Sequence, residues 1–292
     1  VSKLGFSCVG LPLKQIIKIF MLFFTASTFS VLADLSELQK VKTDQWYISA
    51  AVGYGYQQSP RIKSDGTHAY ILPSIAYYSD KFYLENTTLG YSLYESEKLI
   101  IDIQSKLNED AFHFKIDGLK HVLMSDIFGY APINNIGFED ASPRYTNITR
   151  KISYLAGIYI AVPMRFTNFS IGAYQDISNV HNGHEVQAKL NHTFNFEHFA
   201  VAYEIGITYK SNELLNYYYA LTPQDRQYFE STYKDDERIS GHIRLITKVP
   251  LNTRWSVVAI AEYNYLAKAI QRSQLIVEKD YLGYFFGFSY DF

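Results

Sequence analysis

Cysteine is nearly absent. The 292-residue chain holds one, Cys8, which excludes a disulfide framework or a multi-thiolate metal site. Charge is scarce as well: charged residues make 19%, where an average soluble domain carries about 25%. With 27 basic against 29 acidic residues there is no positive footprint for nucleic acid. The chain also lacks repeated apolar runs of about 20 residues, and a mean hydropathy of -0.11 excludes a polytopic helical membrane protein. What it has instead is 26 Tyr and 20 Phe, an aromatic load that disfavours disorder and coiled coil alike.

The first segment reads as an address. Lys14 and Lys18 precede an apolar stretch from Ile19 to Leu32, with small or apolar residues at Val31 and Ala33. This pattern predicts a secretory signal peptide over 1-33, cleaved between Ala33 and Asp34; the alternative is an N-terminal membrane anchor. Cleavage would remove Lys3, Lys14, Lys18 and Cys8 and no acid, leaving 24 basic and 29 acidic residues, a net charge of -5. Residues 34-45 are polar and read as a periplasmic leader, and 46-292 as the folded domain.

From Trp46 onward the dominant signal is alternation. Trp46, Ile48, Ala50, Val52, Tyr54 and Tyr56 share one parity; Ser49, Ala51, Gly53 and Gly55 share the other. The same pattern runs through 197-210, 236-249 and 254-268. A soluble sandwich also alternates. Candidate strands of 11 to 14 residues exceed the usual 5 or 6 of globular sheets and suffice to cross a membrane when tilted. Aromatics gather at the ends of the apolar faces, as interfacial girdles do, and the opposite parity carries charges in mid-strand, among them Glu185, Lys189, Glu204, Arg244 and Glu262. Asp102, Lys189, Glu204, Arg244 and Glu262 are read as a polar network in the lumen, paired or lining a narrow pore.

These features predict an all-β transmembrane antiparallel barrel. Candidate strands are 46-57, 68-79, 81-94, 97-107, 150-162, 164-178, 184-194, 197-210, 236-249, 254-268 and 280-292, an odd number where single-chain bacterial barrels have an even one. If 46-57 ascends, 97-107 descends; since 150-162 must also descend, the missing ascending strand is placed at 113-122, giving twelve. Segments 58-67, 123-149, 211-235 and 269-279 then become outer loops, with 123-149 as a candidate plug. Tyr217-Tyr218-Tyr219 read as girdle or strand extension.

The last strand carries Tyr284, Phe286, Phe288, Tyr290 and Phe292 on one parity. A chain that ends on Phe after alternating aromatics resembles the terminal assembly signal of outer-membrane barrels, which implies the barrel-assembly machinery as a partner. Membrane lipid and lipopolysaccharide are the expected surroundings.

Several short motifs, in order, resemble the MltA-interacting protein/outer-membrane protein V (MipA/OmpV) family. They are Val52-Gly53-Tyr54, Leu72-Pro73-Ser74-Ile75-Ala76-Tyr77, Leu89-Gly90-Tyr91-Ser92-Leu93, Tyr219-Ala220-Leu221-Thr222-Pro223, Arg254-Trp255-Ser256-Val257 and the closing Gly283 to Phe292. The chain departs from the family pattern at Ala220, where Gly is expected, in 273-277, which lacks an expected Pro, and through 108-149. The resemblance implies an outer-membrane scaffold that brings a lytic transglycosylase to a bifunctional penicillin-binding protein, with small-solute channel and surface adhesin as alternatives. It carries over no catalytic residue.

The stretch His181-Asn182-Gly183-His184-Glu185 has a base and an acid, as a catalytic set would, but no serine in the local pattern. His181, His184 and Glu185 are also possible metal ligands; a solvated Asn-Gly turn is the plainer reading. Asp225, Glu230, Asp235, Asp236 and Glu237 form an acidic run that reads as solvated or as engaging cations that bridge lipopolysaccharide. The expectation is a chain with no catalytic set, no metal and no cofactor.

Overall fold

The computed structural model describes residues 43-61, 64, 66-113, 150-220 and 237-292. Among them twelve strands close into one antiparallel barrel. They are β1 (Gln45–Gln57), β2 (Thr67–Tyr78), β3 (Phe82–Glu85), β4 (Thr88–Glu95), β5 (Ile100–Leu107), β6 (Tyr154–Pro163), β7 (Asn168–Asp176), β8 (His184–Asn195), β9 (Ala200–Lys210), β10 (Ile239–Pro250), β11 (Trp255–Tyr265) and β12 (Asp280–Asp291). Two helices, α1 (Asn212–Tyr219) and α2 (Lys268–Gln271), and a 3-10 turn at Glu109–His113 lie in the longer connections. No described helix is long and apolar enough to cross a membrane.

Twelve strands is the expected total, but one of them lies elsewhere than expected. The stretch 81-94 is not one strand: it is the β3–β4 hairpin, turned at Asn86, whose φ is 54°. Asn86 then takes the place of a pairing residue on β2, its N–H donating to the Ile75 carbonyl at 2.8 Å and its Oδ1 accepting from the Ile75 N–H at 3.1 Å. Asn tolerates the left-handed backbone such a turn requires. Consequently β5 runs opposite to the expected descending direction and pairs directly with β6. The strand expected at 113-122 is not needed for closure, and 114-122 lies outside the described residues. So do residues 1-33, expected as a signal peptide, the expected Ala33–Asp34 cleavage site and 123-149.

Which side of the sheet faces out is decided by exposure. Ile48, Val52, Ile103, Ile158, Ile207, Ile243 and Phe286 are 43 to 59% exposed, whereas the inward Ala51, Leu72, Val258, Ile260 and Phe285 are at most 3% exposed. In water each exposed aliphatic would forgo roughly 1.5–3 kcal/mol of burial, so a belt of them around a closed sheet is stable only against lipid. Aromatics ring both ends. Trp46 meets Tyr77, and Trp255 meets Tyr290, with centroids 4.9 Å apart in both pairs; at the other end Tyr54 contacts His68, Tyr70 and Tyr284.

Closure depends on the β1–β12 seam, where nine residue pairs run from Ser49–Asp291 to Gln57–Gly283. At its middle Gly53 faces Gly287, and a Cβ on Gly53 would meet the Phe286 carbonyl at 2.2 Å. The strands approach that closely because neither position has a side chain.

Candidate functional site: the filled lumen and its cap

The inward parity builds the lumen in layers. Nearest the short turns, Lys248 pairs with Asp291 at 3.1 Å. Above it Ala51, Leu72, Val258, Ile260 and Phe285 form an apolar cluster. One step higher Arg244 on β10 donates to Glu262 of β11 at 3.0 Å and to Glu204 of β9 at 3.4 Å. Lys189 of β8 and His242 reach the same Glu204 at 3.4 and 2.9 Å. Antiparallel register places these groups side by side, with Arg244 paired across to Glu204 and Glu262.

Four of the five residues expected as a lumen network are thus brought together, and Asp102 is not. It sits across the barrel in a separate chain of donors. The Tyr174 hydroxyl donates to the Gln104 carbonyl, the Gln104 amide donates to the Tyr83 hydroxyl at 3.0 Å, and Tyr83 donates to Asp102 at 3.0 Å. Every donor points toward the carboxylate. Gly90 makes room for Tyr83, since a Cβ there would meet the ring at 2.0 Å. Glu185 is inward, as its strand parity indicates, but pairs outside the expected set; sequence reasoning missed His242, Lys106 and the acids of the 3-10 turn as network members. Lys106 pairs with Glu185 at 2.7 Å and lies over the Tyr174 ring. His242 and Lys106 share parity with Arg244 and Asp102, which was the available signal.

Over these layers lies a cap. Leu214, Leu215, Tyr218 and Tyr219 of α1 pack with Ala269 and Ile270 of α2, with Ala111, Leu275 and Ile276, and with Tyr281. The Tyr217–Tyr219 triplet therefore belongs to a helix, correcting the girdle reading; Tyr218 and Tyr219 are buried because an α-helix turns them inward together with Leu214 and Leu215. Ser211 caps α1, accepting from the Leu214 N–H at 3.4 Å, and Arg150 secures its far end through the carbonyls of Tyr217 and Ala220. Asp110 accepts from Lys210 at 2.6 Å and from the Tyr219 hydroxyl, tying the 3-10 turn to the cap. Enclosure opposes ionisation of Glu109, yet Lys106, Lys189, Arg244 and His242 around it hold its carboxyl below the usual range. Between ion pairs and cap lies a cavity of about 60 Å³, lined by Glu109, Asp110, Lys210, His242, Glu262 and Tyr281, among others.

The His181 segment gains the serine it lacked locally. Ser153 Oγ lies 3.0 Å from His181 Nε2, and Asp176 Oδ2 lies 3.9 Å from Nδ1. The hydrogen bonds are those of a latch. The Gly183 N–H donates to Nδ1 at 2.9 Å, so Nδ1 is the acceptor and a neutral ring carries its proton on Nε2, facing Ser153. A general base needs the reverse tautomer. Asp176 is occupied by the backbone N–H groups of Val180, His181 and Asn182. Nor do His181, His184 and Glu185 converge on one point: Glu185 is taken by Lys106. Among the described residues no group of three potential ligands could hold a metal ion. Of the acidic run only Glu237 is described, 2.7 Å from Lys268.

Burial holds the His181 imidazole below its ordinary pKa of about 6.5. A group depressed in the folded state contributes stability that is present above the unfolded pKa and lost as pH falls toward the folded one. Protonation would also set an Nδ1–H against the Gly183 N–H. Hydrogen exchange, corrected for intrinsic rates, is therefore expected to show residues 178-183 opening more readily at pH 5 than at pH 7.5. Equal protection would show that the latch does not depend on neutral His181.

The chain is similar to the outer membrane protein YiaT of Escherichia coli K12, at 24% identity over 281 residues, covering 96% of this chain and 98% of the relative. YiaT of Escherichia coli O157:H7 matches with the same identity and coverage. Among solved structures, the CymD monoaromatic hydrocarbon channel aligns over 86% of this chain and 89% of its own, at 10% identity and a TM-score of 0.36. An anion-selective porin from Comamonas acidovorans aligns over 85% and 99%, at 10% identity and 0.34. The protein is a barrel of the outer membrane, and the sequence family described as MltA-interacting protein MipA matches residues 50–292. The chain belongs to the MipA family.

Proposed function

We propose that this barrel is a non-enzymatic scaffold of the cell envelope that binds a lytic transglycosylase, and through it a bifunctional penicillin-binding protein, on the periplasmic side. The observation that carries the reading is the filled lumen. Asp102, Glu185 and Glu262 face inward yet are 3 to 6% exposed, because each is covered by an inward partner, Tyr83, Lys106 or Arg244, and the α1–α2 cap closes the mouth. An open pore would leave such groups in water. A barrel with a filled interior offers rigidity and two ends, and the short-turn end, where both β1 and β12 terminate, is the periplasmic one by the usual asymmetry of turns and loops. The family description supplies the partner class.

The test is direct binding of purified MltA to the folded barrel in detergent. Saturable binding is expected, and a second purified component, the penicillin-binding protein, should be retained only when MltA is present. Absence of MltA binding would refute the scaffold.

The small-solute channel remains a second reading, favoured by the polar cavity beneath the cap. For the terminal strand the proposal is an assembly signal. Tyr284, Phe286, Phe288 and Phe292 are 44 to 78% exposed on the lipid side, and Tyr290 packs on Trp255 and Phe292. Removing Phe292 should lower the heat-modifiable, membrane-inserted fraction several-fold at equal synthesis. Normal insertion would assign the terminal ring to packing alone.

A further inference from the structure

Five short turns surround the periplasmic end, and four of their tips are polar. The β2–β3 tip is Asp80-Lys81, the β4–β5 tip Glu97-Lys98, the β8–β9 tip Glu197-His198 and the β10–β11 tip Asn252-Thr253, all exposed. Glu197 and His198 side chains are more than four-fifths exposed. Residues at this height therefore stand in water. The β6–β7 turn breaks the pattern. It is closed by the Met164 N–H donating to the Thr167 carbonyl at 3.0 Å, and its tip is Arg165-Phe166. Phe166 is 65% exposed; Met164, at 46%, has a counterpart in Leu251 of the β10–β11 turn at 57%, so the ring at the tip is what sets this turn apart. The Arg165 guanidinium lies 5.0 Å from the Phe166 ring centroid, covering one face and leaving the other bare.

Interfacial anchoring does not account for this ring. The girdle position of the hairpin is already filled by Phe169, paired with Val162 on the lipid side, and Phe166 stands beyond the last registered pair, Pro163–Asn168. The next turn along the barrel adds Phe196, 40% exposed and stacked on Phe199. Aromatic, Met and Arg side chains are the types enriched where proteins meet, and the dominant contacts are aromatic or Arg anchors seated in pockets.

We infer that the β6–β7 turn is the docking point for the lytic transglycosylase, with Phe166 and Met164 entering an apolar pocket whose rim is acidic. The acidic rim follows from Arg165: seating Phe166 strips water from the guanidinium, and an unpaired buried charge would oppose binding. The inference rests on the scaffold reading and assigns it a surface.

The probe is purified MltA, titrated against the detergent-folded full chain. Met164→Ser combined with Phe166→Ser is expected to weaken binding at least tenfold while heat-modifiable mobility is unchanged. Glu197→Ala combined with His198→Ala should stay within twofold. Arg165→Glu should weaken binding further than Arg165→Ala. A Phe166→Trp variant supplies an independent readout, its indole emission shifting to shorter wavelength on adding MltA. Wild-type binding strength that survives the Met164/Phe166 change, or an emission of the Phe166→Trp variant that does not move, overturns the docking assignment and leaves the scaffold standing. A wild-type barrel that does not bind overturns both.

Discussion

Arg244→Met is expected to destabilise the folded barrel by roughly 3–5 kcal/mol, the usual cost of removing one partner of a buried pair. Arg244 is the cation common to Glu204 and Glu262, and the side chains of the pair with Glu262 are 14 and 5% exposed. Glu204 retains Lys189 and His242 after the substitution; among the described residues Glu262 retains the Asn264 amide at 2.6 Å and no cation. Most of the loss should therefore reside at Glu262. Adding Glu262→Gln in the same chain is expected to recover most of the stability, because the stranded charge disappears with its partner. Reversible urea unfolding in detergent, followed by Trp fluorescence, measures both variants. A loss below about 1 kcal/mol for the single variant would place the pair among solvated ions.

In planar bilayers the wild-type barrel is expected to show no stepwise conductance. An ion would have to cross the α1–α2 cluster, the Arg244 layer and the apolar layer of Leu72, Val258 and Phe285 in succession. Removing one obstacle leaves two. Replacing 212-219 with a flexible Gly-Ser linker alone should stay silent, whereas that change combined with Arg244→Ala, Glu262→Ala and Phe285→Ala should give discrete steps. Stepwise conductance by the unaltered, fully folded barrel would favour the channel reading over the scaffold.

The parity of the sequence carried much of this. Outward Ile243 and Phe286, inward Glu204, Arg244 and Glu262, and the closing strand are legible because a strand has a period of two and lipid sorts its faces. The split of 81-94 was legible too, in a feature easily passed over. Its lipid-facing residues are Phe82 and Leu84 before Asn86, then Leu89, Tyr91 and Leu93, so the apolar positions switch from even to odd numbers. A two-residue turn reverses the phase in that way, since Glu85 and Thr88 are paired and face the same side. Taking 81-94 as one strand hid the hairpin and displaced the twelfth strand to 113-122.

What sits inside a closed barrel is harder to read. His181 lies 28 residues from Ser153 and 5 from Asp176, and the three residue types alone suggest a triad; only the Gly183 N–H on Nδ1 reveals a latch. Asp102 shares its parity with the lumen set, but parity fixes the side of the wall and not the position around the circumference.

By itself the sequence determined that this chain crosses a membrane with strands, which face of each strand meets lipid, and which charged residues turn inward, because alternation along a strand is a local property. The tertiary structure decided which inward charges meet, that the Tyr217–Tyr219 segment becomes a helix over the mouth, and that Asp102, Glu185 and Glu262 are buried beneath it. Those outcomes depend on register, circumference and the folding back of connections, which bring together residues as distant as Asp110 and Tyr219 and leave no local trace.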